Sequence, residues 1–245
     1  MRQICEIRKE AIAYSQKGIR TISIDEKPGI QAIQAIQRDG VILPIQEGKV
    51  ERGEYNYIRH GTQCLTANMD VATGNIISPT IAKTRTQKDY VEHMQTLFDS
   101  DPNAKGWIIM EDNLNTHMSE GIVREVAKRL GDTQALGIKG KSGILQNKKT
   151  RKAYLSDTTH AIRFVFTPKH CSWLNPIECW FSSFSRRVIR RGNFTSIQDL
   201  KEKIEKYIIY YTNTLAKPYH WSITDSKAID TLIGNVLTNV TLLKN

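Results

Sequence analysis

No apolar run in these 245 residues approaches the ~20 positions that a bilayer span requires, and the opening MRQICEIRKE has no long apolar core of the kind a secretory signal carries. That pattern gives no membrane partner and an expected cytoplasmic location. Cysteine is scarce as well. Cys5, Cys64, Cys171 and Cys179 form no CxxC pair and have no partnering histidine spacing, which argues against a zinc site and a disulfide framework and for four reduced thiols. Acidic residues fall short of basic ones, 25 Asp and Glu against 35 Lys and Arg, for a formal charge of +10. Such an excess attracts polyanions through counterion release, so nucleic acid is the leading partner; a basic surface that only aids solubility is the plainer alternative. With 40% hydrophobic and 24% charged residues, disorder is excluded and one domain is expected.

Hydrophobic spacing orders the rest of the chain. Residues 4–17 place Ile4, Ile7, Ala11, Ile12 and Tyr14 at helical intervals, a docking helix that stops at Gly18. Thr21 to Asp25, TISID, reads as a short strand ending in acid, with Lys27-Pro28-Gly29 as the turn after it. Residues 30–59 form a partly extended excursion without an assigned role. Cys64–Met69 and Ile76–Ile81 flank Ala72-Thr73-Gly74-Asn75 as a hairpin, and a helical stripe follows from Arg85 to Phe98. Gly106 to Asp112, GWIIMED, has the continuous apolarity of a buried central strand, and a helix spans Ser119–Leu130. Residues 131–160 break the rhythm: Lys139, Lys141, Lys148, Lys149, Arg151 and Lys152 accumulate in a flexible basic insertion, either a phosphate-gripping loop or a solvated excursion. Ile162–Phe166 restores a strand. A basic amphipathic helix then runs through Trp180, Phe181, Phe184, Val188 and Ile189 with Arg186, Arg187, Arg190 and Arg191 interleaved, followed by a helix over Ser196–Thr212 and a weakly helical Trp221–Ile233. The fold class is α/β, a mixed central sheet flanked by helices.

Three acids stand out by position. Asp25 and Asp112 close apolar strands, and Glu178 opens the helix after TPKHCSWLNP. Strand alternation sends Glu111 and Asp112 to opposite faces, so one of them joins any cluster, and Asp112, next to the NLNTH turn, is the choice. The plain reading of each is local: Asp25 and Asp112 as turn or cap residues, and Glu178 in a capping box with Asn175 as N-cap and Pro176 at the first helical position. If the three converge, their oxygen ligands suit two divalent cations, Mg²⁺ or Mn²⁺, that activate a nucleophile and stabilise a leaving oxygen. They then repel one another in the metal-free protein, at least one pKa is raised, and neutralising Asp112 relieves strain. Phosphodiester chemistry on a basic surface follows.

SIDEKPG, MEDNLNTH and TPKHCSWLNPIECWFS, in that order, resemble the three catalytic blocks of the mariner-type superfamily of DDE transposases, in its bacterial insertion-sequence branch. The resemblance covers about Ser23 to Trp221 and implies a ribonuclease-H-like fold over residues 21–215, a docking helix or linker over 1–20 and a tail over 216–245. It also implies that Asp25, Asp112 and Glu178 are the catalytic metal ligands. The implied activity is metal-dependent cleavage at transposon ends followed by attack of the freed 3′-hydroxyl on target DNA, so the partner is double-stranded DNA, with a homodimer left open and the nucleoid as the site of action. Asn113, Asn115, His117, His170, Trp173 and Asn175 are candidates for contacts to the metal water or to DNA, each with a packing role as its alternative. The other histidines, His60, His93, His160 and His220, read as structural. Two features depart from the family. Residues 113–177 put 65 positions between the second Asp and the Glu where many members have about 34, and the basic insertion accounts for the excess. The expected N-terminal helix-turn-helix modules have no room, which suggests a fragment, half of a split reading frame or a degenerate copy. A catalytically silent DNA-binding remnant and a general metal nuclease are the competing functions.

Overall fold

The computed structural model describes residues 1–43, 52–169 and 171–219. Five strands form one mixed sheet: β1 (Ile19–Leu43), β2 (Arg52–Asp70), β3 (Ile76–Ala82), β4 (Gly106–Glu111) and β5 (Ile162–Phe166), in the order β3-β2-β1-β4-β5. β1, β2 and β3 meander antiparallel, while β4 and β5 join parallel to β1. The parallel joins require crossovers, and α2 (Gln87–Asp99) and α3 (Glu120–Leu130) with α4 (Lys148–Leu155) supply them. The remaining helices are α1 (Arg2–Gln16), α5 (Ile177–Phe184), which continues as a π-helical turn over Ser185–Ile189, and α6 (Ile197–Tyr210).

Side-chain alternation divides the core between the two faces of the sheet. Ile22, Ile24, Trp107 and Ile109 pack on α2, α3 and α4. Ile108, Met110 and Val165 point the other way, onto Ile4, Ile7 and Ala11 of α1, and Leu65, Ala67 and Met69 of β2 receive Trp180, Phe184 and Ile204 from α5 and α6. The expected docking helix is therefore part of the core, although Ile12, assigned to its apolar stripe, is 52% exposed. No helix among the described residues is long and apolar enough to cross a membrane.

The largest departure from the sequence reading is β1. Lys27-Pro28-Gly29 does not end the strand; it forms a bulge, and the pairing with β2 resumes at Ile30↔Gln63 and runs on to Leu43↔Arg52. A bulge leaves proline without a ladder bond to donate, and Gly29 takes the positive φ of 68° that the extra residue needs. Residues 30–43 and 52–63 are thus a two-stranded continuation of the sheet, and Asp25 sits within a strand and not at its end. The β2–β3 hairpin lies where its turn chemistry places it. The basic insertion is ordered: Asn147 and Thr150 form a reciprocal cap at the start of α4, and Leu145, Tyr154 and Leu155 are buried in the core. The weakly helical Trp221–Ile233 lies outside the described residues.

Candidate active site

Asp25 reaches its place through Ser23. Both project from the α5 face of β1, and the Ser23 hydroxyl accepts from the backbone N–H of Ile177 at 3.0 Å while donating to Asn175 Oδ1 at 2.5 Å. Asn175 Nδ2 donates to the Ile24 carbonyl at 2.8 Å. Asn175 is fully buried in this stitch and does not cap α5, contrary to the capping-box reading; Ser23, from a distant strand, satisfies the helix's first amide instead. Glu178 does not reach back to the Asn175 amide either, which is already bonded to the Ser172 carbonyl at 2.7 Å. The stitch frees Glu178 and turns it toward Asp25.

Asp112 follows the end of β4. Its Oδ1 accepts from the Leu114 amide at 2.8 Å and lies 2.9 Å from His117 Nδ1. Glu111 turns to the opposite face, as alternation requires, and is fully buried with Tyr90 Oη donating to Oε2 at 2.5 Å; its Oε1 has no partner among the described residues. Asp25, Asp112 and Glu178 line one cleft of about 310 Å³, with Lys27, Arg85 and Ser172 on its walls. A second cleft of about 500 Å³ shares Lys27 and Pro28 with the first and extends toward Arg190.

Electrostatics separate the three acids. Burial pushes the Asp25 carboxyl up to about 7, and the charges of Glu178 and Asp112 add to it against the Glu26 amide that donates to Asp25 at 2.7 Å. Glu178 is also raised, by burial and by Asp112, with Lys27 and a hydrogen bond from Asp25 working in the other direction. At Asp112 burial opposes ionisation, yet the His117 hydrogen bond, the Leu114 amide and the charges of His117 and Lys148 hold it below the usual range. His117, almost fully buried, is likewise penalised by burial, but Glu111, Asp112 and Glu26 raise its pKa well above the ordinary value. The strain of three converging acids therefore rests on Asp25 and Glu178. Asp112, held ionised beside His117, still adds its charge to the rise at Asp25 and at Glu178, which is the direction in which neutralising Asp112 is expected to act.

The sequence profile of the DDE superfamily endonucleases matches residues 20–201. The chain belongs to that superfamily. No curated protein matches it in sequence. Among solved structures it is similar to the Mos1 transposase paired-end complex with left transposon end, at 15% identity and a TM-score of 0.51, covering 86% of this chain and 56% of that one. The Mos1 mariner paired end complex with Mn gives the same identity, coverage and TM-score. At such identity the likeness speaks for the fold, which is ribonuclease-H-like, and the chain spans little more than half the length of those it matches.

Within this endonuclease fold the remaining candidates part company. His117 is at the cleft, bridging Asp112 and Glu26. Asn113 donates to the Thr167 carbonyl, and Asn115 Oδ1 accepts from Lys148. Trp173 packs against the α1 cluster as an elbow, and His170 and His220 lie outside the described residues. His93 is buried between Asn68 and Thr80, and burial drives its pKa down to about 3, as a structural histidine requires. The basic candidates divide. Arg151 and Lys152, half-buried, and Lys148, exposed, donate to backbone and amide oxygens, which corrects the reading of the insertion as flexible, whereas Arg186, Arg187, Arg190 and Arg191 are exposed without such bonds. Lys139 lies 4.0 Å from Glu120, and Lys141 and Lys149 are exposed. Sequence reasoning misses Ser23, Glu26 and Tyr90. The apolar spacing of TISID marks Ser23 as inward-facing, but no local signal pairs it with a helix that starts 154 residues later.

Proposed function

We propose that this endonuclease is the catalytic core of a transposase that cleaves DNA strands at the ends of its element and joins the freed 3′-hydroxyl to target DNA, acting on DNA in the cytoplasm. The observation that carries the reading is the meeting of Asp25, Asp112 and Glu178 in one cleft flanked by Lys27 and Arg85. Their donor set fits hard divalent cations, Mg²⁺ or Mn²⁺, and bound cations would offset both the burial and the neighbouring acids that raise Asp25 to about 7. Among the described residues no group of three or more His, Cys, Asp or Glu side chains is drawn close enough to hold a metal ion as it stands, so the three acids share a cleft without forming a ready-made metal site. Asp25, Asp112 and Glu178 would hold the cations, which would supply activation of the attacking oxygen and stabilisation of the leaving one.

The chain's own residues do the rest. Ser23 and Asn175 hold Glu178 beside Asp25, and His117 orients Asp112 through the Nδ1 contact while Glu26 holds its other nitrogen at 3.2 Å. Arg186, Arg187, Arg190 and Arg191 supply charge for a phosphate backbone leaving the cleft toward Arg190. The Mos1 structures are complexes with a transposon end and with Mn, which supports both partners. The test is incubation with Mg²⁺ or Mn²⁺ and duplexes bearing the ends of the element. Cleavage at the end with joined products supports the transposase; cleavage at any sequence without joining makes it a general nuclease; no cleavage with retained binding makes it a silent remnant.

A further inference from the structure

The segment that makes this chain longer between its second and third acids packs against the turn beside the cleft. Three cations of α4 reach the turn that follows Asp112. Arg151 donates from Nε to the Met118 carbonyl at 2.6 Å and from Nη1 to the Leu145 carbonyl at 3.0 Å, which anchors the helix to the residue after His117. Lys148 Nζ donates to the Asn113 carbonyl at 2.9 Å and to Asn115 Oδ1 at 2.8 Å. Lys152 Nζ donates to Asn113 Oδ1 at 2.7 Å and lies 4.9 Å from the centre of the Phe166 ring. Asn113 then passes the connection on, because its Nδ2 donates to the Thr167 carbonyl, while the Thr167 amide donates to the Glu111 carbonyl at 2.8 Å. Thr167 opens the segment that leads to Glu178. A chain of hydrogen bonds thus runs from α4 through Asn113 to the loop of the third acid.

A lysine that grips phosphate keeps its ammonium hydrated and available. Here both ammonium groups donate to the loop oxygens beside Asp112, Lys148 with two bonds at the exposed rim and Lys152 half-buried with its ammonium over the Phe166 ring. We propose that segment 131–160 is a strap that sets the spacing of the cleft, with Lys148 and Lys152 as positioning residues that hold the Asp112 turn against the loop leading to Glu178. The proposal rests on the endonuclease reading of that cleft. Positioning is sensitive to small movements, since a displacement of about 1 Å at a reacting centre costs on the order of 10²-fold in rate.

The test uses the full chain and three measurements: single-turnover nicking of supercoiled plasmid in Mn²⁺ at saturating protein, the salt dependence of duplex affinity, and the Mn²⁺ concentration giving half of the metal-induced rise in melting temperature. Lys148→Met with Lys152→Met is expected to slow nicking about 30-fold or more. The same variant is expected to raise the half-saturating Mn²⁺ concentration and to leave the salt slope unchanged. Lys152→Met and Asn113→Ala cut the same chain, so combining them is expected to cost no more than the larger single loss. A salt slope shallower by about 1.8, with nicking at saturation unchanged, overturns the proposal and makes the two lysines phosphate contacts. Additive losses from Lys152→Met and Asn113→Ala overturn it too. The single variants keep the test readable should the double variant fail to fold. If the wild-type protein does not nick DNA, the proposed function falls by itself, and the strap is judged on the Mn²⁺ titration, where an unchanged half-saturation overturns it.

Discussion

Two basic regions of this chain carry four cations each, Lys148, Lys149, Arg151 and Lys152 in one and Arg186, Arg187, Arg190 and Arg191 in the other, in opposite surroundings. In α4 and the turn before it, the reciprocal cap at Asn147 and the buried Tyr154 and Leu155 press one helical face onto the core, directly above a turn rich in free carbonyl and amide oxygens. Lys148, Arg151 and Lys152 satisfy those oxygens. After Phe184, by contrast, the helix runs out of fully buried side chains and widens into a π-turn, and Arg186, Arg187, Arg190 and Arg191 face solvent with no hydrogen bond or ion pair to another described residue. Charge count alone does not distinguish a cation bonded within the fold from one left to solvent. What distinguishes them is whether an unsatisfied acceptor lies within reach of the side chain.

The strongest way to sharpen the contrast is at the cleft both regions flank. Glu178→Gln is expected to abolish cleavage, a loss of about 10³-fold or more on the scale of removing a pre-set electrostatic stabiliser. Duplex affinity measured by fluorescence anisotropy should stay nearly unchanged, because the basic surfaces are untouched. A parallel loss of affinity and cleavage would sink the separation of chemistry from binding.

Replacing Arg186, Arg187, Arg190 and Arg191 together by Gln is the reverse experiment. Affinity should fall and its log–log dependence on salt should become shallower by up to about 3.6, at about 0.9 for each phosphate no longer neutralised. Unfolding stability should move by no more than about 0.5 kcal/mol per site, as for surface substitutions without partners. An unchanged slope would return the arginines to a merely solvating role.

Arg151→Met breaks the inward side of the comparison. It leaves the Met118 and Leu145 carbonyls without their charged donor, and denaturant unfolding should show a loss of about 1.5–3 kcal/mol with the salt slope of DNA binding intact. A shallower slope with no loss of stability would show that α4 and the π-turn are alike after all.

The most gradual effect, spread over several pH units, concerns the charge in the cleft itself. Because the folded pKa of Asp25 is raised to about 7, above its unfolded value near 3.9, its contribution to stability is fully present below about pH 4 and is lost as pH rises through about 7. In metal-free protein the wild type should therefore lose stability across that window relative to Asp25→Asn, with a difference in slope of at most about 1.4 kcal/mol per pH unit. Glu111, raised to about 8 by burial, titrates over an overlapping range in both proteins and cancels in the difference. Parallel stability–pH curves for the two proteins would mean that Asp25 carries no strain.

Much of this molecule was legible before any coordinates. Period and turn chemistry located the β2–β3 hairpin, the buried strand β4 and the two crossover helices, because these depend on neighbours a few residues away. The three blocks around Asp25, Asp112 and Glu178 marked the acids, and alternation alone separated Glu111 from Asp112. Tertiary structure decided the rest. Lys27-Pro28-Gly29 has the composition of a turn, but β2 pairs on both sides of it, and the ladder makes it a bulge. Asn175 has the position of an N-cap, yet a serine 152 residues upstream caps the helix and draws the asparagine into the core. Burial, with Glu178 and Asp112 beside it, raises Asp25, while a buried histidine from a turn five residues on holds Asp112 below the usual range. The insertion reads as flexible because its glycines and lysines are locally unconstrained. Its order comes from acceptors on a turn more than thirty residues away, and no local pattern encodes a partner at that distance.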